Sequence, residues 1–385
     1  MNKRSAKPNY GIEKALGVAI DGWRVSGRPL KEELRELGRL CATAGARLER
    51  IIIQQRDKPD PSTLVGRGKV EELVELAPEY DLIVFNDSLK PAQHNTLRKK
   101  LPVKVIDRTD LILDIFARRA QTNDSKLQVE LAQLEHNLPR KRGWGWALTN
   151  PGAGIGTRGP GETMMTIKER DMRRKIHQLK TKLENIRKKR NTQRKNRRGI
   201  PEVSLVGYTN SGKTTLLNAL TNADALKENM LFATLDTKTR RVHLEGDRYF
   251  LMTDTVGFIQ RMPAKLKEAF KATLEELGRA ACFLHVIDIS SSRVDERIGV
   301  VNSLLKELGF EEKKSFMVFN KIDCVSAGVL ERYKNRFSDA HFISAESKEG
   351  LTKLKQRIYR YLLDNNLVER PQYAKKIPLE GMIQI

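Results

Sequence analysis

The segment Gly207-Tyr208-Thr209-Asn210-Ser211-Gly212-Lys213-Thr214 sets two glycines, a lysine and a hydroxyl at a spacing that suits phosphate binding. It directly follows the apolar run Val203-Ser204-Leu205-Val206, so it reads as a loop between a buried strand and a helix. The glycines let the chain wrap closely, and backbone N–H groups at the start of the helix then point at an anion. In such a loop Lys213 reaches the outer phosphates of a nucleotide, and Thr214, followed by Thr215, ligates Mg²⁺. The plain alternative is a glycine-rich strand-to-helix turn without a ligand.

Three later segments narrow the ligand. Strand-like runs at Arg240–Leu244 and Tyr249–Thr253 lead into Asp254-Thr255-Val256-Gly257. An aspartate ending a buried strand, next to a glycine whose N–H can meet a γ phosphate, is the second half of a Mg-nucleotide site. The run Ser315–Phe319 ends in Asn320-Lys321-Ile322-Asp323, and a carboxylate at Asp323 can accept from both the ring N–H and the exocyclic amine of guanine. Adenine offers no such pair. A last strand, Ala340–Ile343, runs into Ser344-Ala345, where a backbone N–H can meet the guanine O6. Four segments in this order, each at the C-terminal edge of a strand, point to GTP and GDP as ligands and to attack of water on the γ phosphate.

One element is missing. Many regulatory GTPases carry a glutamine after the Asp-x-x-Gly glycine to orient the attacking water; here Phe258 and Ile259 follow Gly257. Neither can orient water, so hydrolysis by the chain alone should be slow and completed by a partner or a metal ion. Asn210, at the fourth position of the loop, could help to hold K⁺ beside the phosphates, although asparagine also suits tight loop geometry for its own sake.

The order of these motifs, with Asp254-Thr255-Val256-Gly257-Phe258-Ile259 and the preceding Leu231-Phe232-Ala233-Thr234-Leu235-Asp236, resembles the HflX branch of the Obg/HflX translational GTPases. Segments far from the nucleotide motifs resemble it as well: Leu64-Val65-Gly66-Arg67-Gly68-Lys69-Val70-Glu71, Gln128-Val129-Glu130-Leu131-Ala132-Gln133-Leu134 and Gly152 to Glu162. The resemblance implies that Thr234 is a second Mg²⁺ ligand in the GTP state and joins Lys213 and Gly257 in catalysis. Thr237 and Thr239 lie close enough to compete for that alignment. It also implies binding to the large ribosomal subunit and its rRNA, with splitting or recycling of stalled or idle ribosomes.

Composition agrees with a polyanionic partner. The chain has 385 residues and a formal charge of +23, so its surface potential favours nucleic acid. Between Lys168 and Arg198 lie fifteen Lys or Arg and only three acids, which is about half of the whole excess. Three separated cysteines, Cys41, Cys282 and Cys324, have no metal-ligand spacing and suggest reduced thiols in the cytoplasm. Apolar runs such as Ala281–Ile289 are too short to span a bilayer. A monomer without a membrane span is expected.

The elements that position these residues fall into an α/β protein: a P-loop GTPase domain preceded by a small parallel α/β domain and a long antiparallel helical hairpin. The first domain, residues 1–106, alternates strands at Ala15–Ile20, Leu48–Gln54, Asp81–Asn86 and Val103–Ile106 with helices at Leu30–Ala44, Lys69–Leu76 and Pro91–Lys100. Its Gly66-Arg67-Gly68-Lys69 lacks the full spacing of a second phosphate loop and reads better as a turn or an RNA contact. Residues 107–198 should form the hairpin, with a seam of Leu127, Leu131, Leu134 and Leu138 against Met172, Ile176, Leu179, Leu183 and Ile186. Its second helix spans about Thr163 to Lys195, and its tip, Gly143 to Gly161, carries Trp144, Trp146 and Arg158. These three residues, with Lys188, Lys189 and Arg190, are candidates for RNA contact; packing of the Trp rings on the helices is the alternative. The GTPase domain covers 199–366 and a short tail 367–385. Two other functions fit the same residues: a GTPase in large-subunit assembly, and an RNA-binding protein whose nucleotide is mainly structural.

Overall fold

A computed structural model describes residues 12–22, 30–141, 164–195, 200–221, 232, 235–244, 248–259, 263, 268 and 276–368, without the side chains of 164–167, 187 and 189–195. The expectations for Trp144, Trp146, Arg158 and Thr234, and for the side chains of Lys189 and Arg190, therefore lie outside the described residues. The chain divides into two compact units, residues 1–184 with 263–269, and residues 185–262 with 270–385.

The first unit holds β1 (Glu13–Asp21), α1 (Leu30–Thr43), β2 (Ala46–Gln55), α2 (Arg67–Leu76), β3 (Leu82–Phe85), α3 (Pro91–Lys100), β4 (Lys104–Asp107), α4 (Arg108–Arg119) and α5 (Asn123–Lys141), and most of α6 (Met164–Lys195). The strands pair in the order β2-β1-β3-β4, all parallel. Parallel strands covered on both faces need apolar residues at nearly every position, and β3 is buried throughout. The helix α4 lies in the segment expected to be helical but stands apart from the two hairpin helices. It starts one residue after β4 with no glycine or proline to mark the change, because Asp107 caps it by accepting from the Asp110 amide at 2.9 Å. Leu111, Ile112, Ile115 and Phe116 bury its inner face. The turn at Gly66 is built from local contacts: its amide donates to the Gln54 side chain at 2.8 Å, and Lys69 is paired with Glu72 at 2.6 Å.

Both hairpin helices are present, but the seam is shared. On α5, Val129, Leu131 and Ala132 are buried while Leu127, Leu134 and Leu138 are half-buried, because α5 also packs on α3 and α4. Arg140 near its end is clamped by Asp110 at 2.7 Å and by Asp107, and His136 meets Asp110 at 3.0 Å, so one buried network fixes α5 to the C-terminal edge of the sheet. On α6 only Leu179 among the seam residues is buried. The 32 residues of α6 make a rod about 48 Å long. The acids scarce in its own sequence come partly from α5: Lys175 pairs with Glu130 at 2.5 Å and Lys180 with Glu135 at 2.7 Å. Among the described residues no helix is long and apolar enough to cross a membrane.

The second unit holds β5 (Glu202–Val206), α7 (Lys213–Thr221), β6 (Lys238–His243), β7 (Tyr249–Asp254), β8 (Cys282–Asp288), α8 (Val294–Glu307), β9 (Ser315–Asn320), α9 (Ala327–Arg336), β10 (His341–Phe342) and α10 (Leu351–Asp364). Its sheet runs β10-β9-β8-β5-β7-β6, parallel except for the antiparallel edge strand β6. One face is covered by Leu216 and Leu217 of α7 and by Leu354, Ile358 and Leu362 of α10; the other is covered by Val301, Leu304 and Leu305 of α8. With β7 on one side of β5 and β8 on the other, the loop after β5 leaves the sheet where the strand order reverses, the place at which open α/β sheets bind ligands.

His285 in the middle of β8 is buried and its pKa is pushed down to about 4, by loss of hydration and then by the nearby Lys213 charge. The native state thus keeps it neutral, whereas an unfolded chain takes up the proton below its ordinary value. Stability should fall as pH drops through the window between those two values, by roughly 3 kcal/mol in all. Thermal unfolding at pH 7 and pH 4.5 checks this: His285→Gln should shrink the difference in Tm between the two, and an unchanged difference would assign the acid sensitivity to other groups.

Candidate active site

The phosphate loop is built by close backbone approach. Gly207 has φ +154°, and a Cβ there would lie 2.3 Å from the Val286 carbonyl oxygen of β8; at Gly212, φ +93°, it would lie 2.2 Å from the Asn320 amide nitrogen. No side chain fits at either position. Asn210 between them takes the left-handed conformation at φ +62°. Its carbonyl accepts from Lys321 Nζ at 2.9 Å, and the same ammonium is held by Asp288 Oδ2 at 2.8 Å.

Lys213 is buried and folds its ammonium back onto the loop, donating to the carbonyls of Gly207 and Tyr208, both at 3.0 Å. Loss of hydration lowers its pKa to about 8, opposed by the Asp254 carboxylate. Beside it Thr214 Oγ1 donates to Asp254 Oδ2 at 2.6 Å, so the two oxygens expected to share a cation already touch. Asp254 is fully buried at the end of β7. Thr215 follows on α7. The next segment is stitched to the loop by an isolated bridge between Tyr208 and Phe258: Thr209 N donates to the Phe258 carbonyl at 2.8 Å and Phe258 N to the Gly207 carbonyl at 3.1 Å. Gly257 is thereby brought against Thr209 and Lys213, since a Cβ on it would meet Thr209 Cγ2 at 2.8 Å and Lys213 Nζ at 3.1 Å. The Phe258 ring is buried with Val206, Leu277 and Phe283 in the core under α8.

The side expected to read the base is organised by Asn320, which is buried. Its Nδ2 donates to the Ser211 carbonyl at 2.9 Å and its Oδ1 accepts from Ala345 N at 2.9 Å. Asp323 stands exposed beyond it. A hydrogen bond from Ser344, and a weaker one from the Cys324 thiol, hold its carboxyl below the usual range, so it is an acceptor at neutral pH. Two participants escaped the sequence reading. Asp288 anchors Lys321, and the Arg297 guanidinium lies 5.0 Å from the centre of the Tyr208 ring. The available signal for Asp288 was its place at the end of the apolar run Cys282–Ile287, the same place that Asp254 occupies on β7.

A phosphate loop at the switch point of a doubly wound sheet, facing an Asp-x-x-Gly strand end and an Asn-Lys-x-Asp edge, defines a P-loop GTPase. Comparison with known proteins carries this further. Residues 31–117, 119–197 and 202–321 match the families described as GTP-binding GTPase N-terminal, GTP-binding GTPase Middle Region and 50S ribosome-binding GTPase. The chain is 46% identical over 354 residues to GTPase HflX of Caldanaerobacter subterraneus, covering 91% of this chain and 81% of the relative. It is 41% identical over 334 residues to GTPase HflX of Escherichia coli, covering 85% and 78%. A crystal structure of SsGBP in complex with GDP matches with a TM-score of 0.50 and 25% identity over 92% of this chain and all of that one. The chain belongs to the HflX family of GTPases, and it binds and hydrolyses GTP.

Lys213 supplies a test of the phosphate site. A phosphate against its ammonium raises a pKa that burial holds near 8, so above that pH nucleotide binding must draw in a proton, and affinity should weaken as pH rises through it. Calorimetry of GDP binding at pH 8.5, in two buffers of different ionisation heat, should register uptake of a fraction of a proton. Identical heats in both buffers would mean that Lys213 does not meet the phosphates.

Proposed function

We propose that this chain is a ribosome-associated GTPase that binds the large ribosomal subunit through its rRNA and splits or recycles stalled or idle ribosomes. The observation that supports it is the joining, in one chain, of the nucleotide loop and a rod-like helix rich in Lys and Arg, with exposed Arg170, Lys182 and Lys188. Phosphate contacts by such side chains release counterions and give strong, salt-sensitive RNA binding. The family description matching 202–321, a 50S ribosome-binding GTPase, supports the same partner. Trp144, Trp146 and Arg158 remain candidates to probe rRNA, together with Lys189 and Arg190. The protein works as a monomer in the cytoplasm on this reading.

In the reaction, backbone N–H groups of Gly207 to Thr215 and the Lys213 ammonium bind the phosphates, and the Gly257 N–H meets the γ phosphate. Asp323 and the backbone at Ser344 and Ala345 read guanine, while Asn320 and Lys321 hold the two loops in register. Thr214 Oγ1 and the Asp254 carboxylate, 2.6 Å apart, are hard oxygen donors of the kind that hold Mg²⁺, with Thr234 as the further ligand. The ion when bound neutralises charge on the β and γ phosphates. The Asn210 side chain, exposed at the loop's rim, is the candidate to hold K⁺. With Phe258 in the core no side chain at that position can orient water, so turnover is slow until a ribosome completes the site.

Two measurements decide between this reading and its alternatives. Isolated large subunits should raise GTP turnover at least tenfold, by an amount that falls steeply between 50 and 200 mM salt; no stimulation would sink the ribosome-switch reading and favour a structural nucleotide. Asp323→Ala should erase the preference for GTP over ATP and leave the fold intact, because the residue is exposed and outside the core. A variant still selecting GTP strongly would take base recognition away from Asp323.

A further inference from the structure

The core-facing Phe258 leaves open which side chain of the loop contacts the reacting groups. Besides Lys213, the loop side chain set against Gly257 is Thr209. It is only 3% exposed, and its Oγ1 is buried with no hydrogen-bond partner among the described residues. Burying an unsatisfied hydroxyl costs about 1–3 kcal/mol, and valine has the same shape without that cost. Packing alone therefore gives no reason for threonine here. The residue is also fixed in place: its amide is tied to the Phe258 carbonyl at 2.8 Å, and its methyl and the Lys213 Nζ lie against the same side of Gly257, 2.8 and 3.1 Å from where a Cβ on that glycine would stand. Lys213 and Gly257 are the two groups assigned to the γ phosphate, and the Thr209 hydroxyl, carried on the same Cβ as that methyl, sits beside them.

We propose that Thr209 is a catalytic residue of the GTPase reaction, its hydroxyl bonding the γ phosphoryl group and the attacking water where a glutamine is missing. The hydroxyl donates its hydrogen to a γ oxygen and accepts one from the water through a lone pair, and it leaves the reaction unchanged. Water forms the new bond to the γ phosphorus, the bond from phosphorus to the β–γ bridging oxygen breaks with its electron pair going to GDP, and the protons of the water depart with inorganic phosphate. The bridge between Tyr208 and Phe258 then has a purpose beyond structure, since it holds Thr209 and Gly257 in register around one phosphate. This inference rests on GTP hydrolysis alone and does not need a ribosome.

The experiment compares Thr209→Val and Thr209→Ser with the unaltered full chain by single-turnover GTP hydrolysis under saturating enzyme, with Mg²⁺ and K⁺, alongside GDP affinity and Tm. Thr209→Val should slow hydrolysis by 10- to 100-fold, in line with loss of one positioned hydrogen bond to a developing charge, while GDP affinity stays within about threefold. Its Tm should be equal or higher, because the buried hydroxyl is gone. Thr209→Ser, which keeps the hydroxyl and loses the methyl, should retain hydrolysis within about threefold. Hydrolysis by Thr209→Val at the wild-type rate would overturn the proposal. So would equal damage in both variants, or loss of GDP affinity in Thr209→Val, since either makes Thr209 a builder of the loop.

Discussion

A single buried amide, that of Asn320, sets the spacing between the phosphate loop and the loop proposed to read the base. One half of it donates to the Ser211 carbonyl in the phosphate loop, and the other accepts from the Ala345 amide in the base-side loop. No other side-chain type of that length offers a donor and an acceptor side by side without charge. Its nitrogen also presses so close to Gly212 that the glycine is obligatory. The residues along the far edge inherit this geometry. Lys321 next to it reaches the Asn210 carbonyl and Asp288, and Asp323 two positions further faces Ser344.

A second link is the bridge from Tyr208 to Phe258. It joins the phosphate loop to the segment after β7 by two backbone hydrogen bonds and a buried ring. A ring locked in the core cannot swing toward water, so the slow intrinsic turnover proposed for this chain would be a consequence of packing. The same lock positions Thr209, Lys213 and Gly257 around one point. Arrangement and limitation thus have one cause: the side chain that anchors the segment is unavailable for chemistry.

Much of this was legible in the sequence because the strands of a parallel sheet are covered on both faces. Runs such as Ser315–Phe319 and Tyr249–Thr253 stand out as apolar, and their polar ends mark the C-terminal edge of the sheet. What escaped had no local signal. The separate start of helix α4, directly after β4 without glycine or proline, is marked only by the Asp107 cap. Asp288 acquires its meaning from Lys321, 33 residues away, and only in the folded chain. The leucine stripe of α5 looked like one seam, yet α5 packs on the helices α3 and α4 and is tied to α6 by ion pairs. Acids that pair with α6 sit on a different helix, so the charge run alone overstates how much of α6 is unbalanced.

The claim on which the account turns is that base and phosphate recognition form one coupled unit through Asn320. The direct measurement is the dissociation constant of a fluorescent GDP analogue for Asn320→Ala against the unaltered chain, with circular dichroism confirming the fold. Loss of two buried hydrogen bonds, with both partners left unsatisfied, should cost about 2–4 kcal/mol, a weakening of roughly 30- to 1,000-fold. A folded Asn320→Ala variant that binds within threefold of the unaltered chain would contradict the coupling.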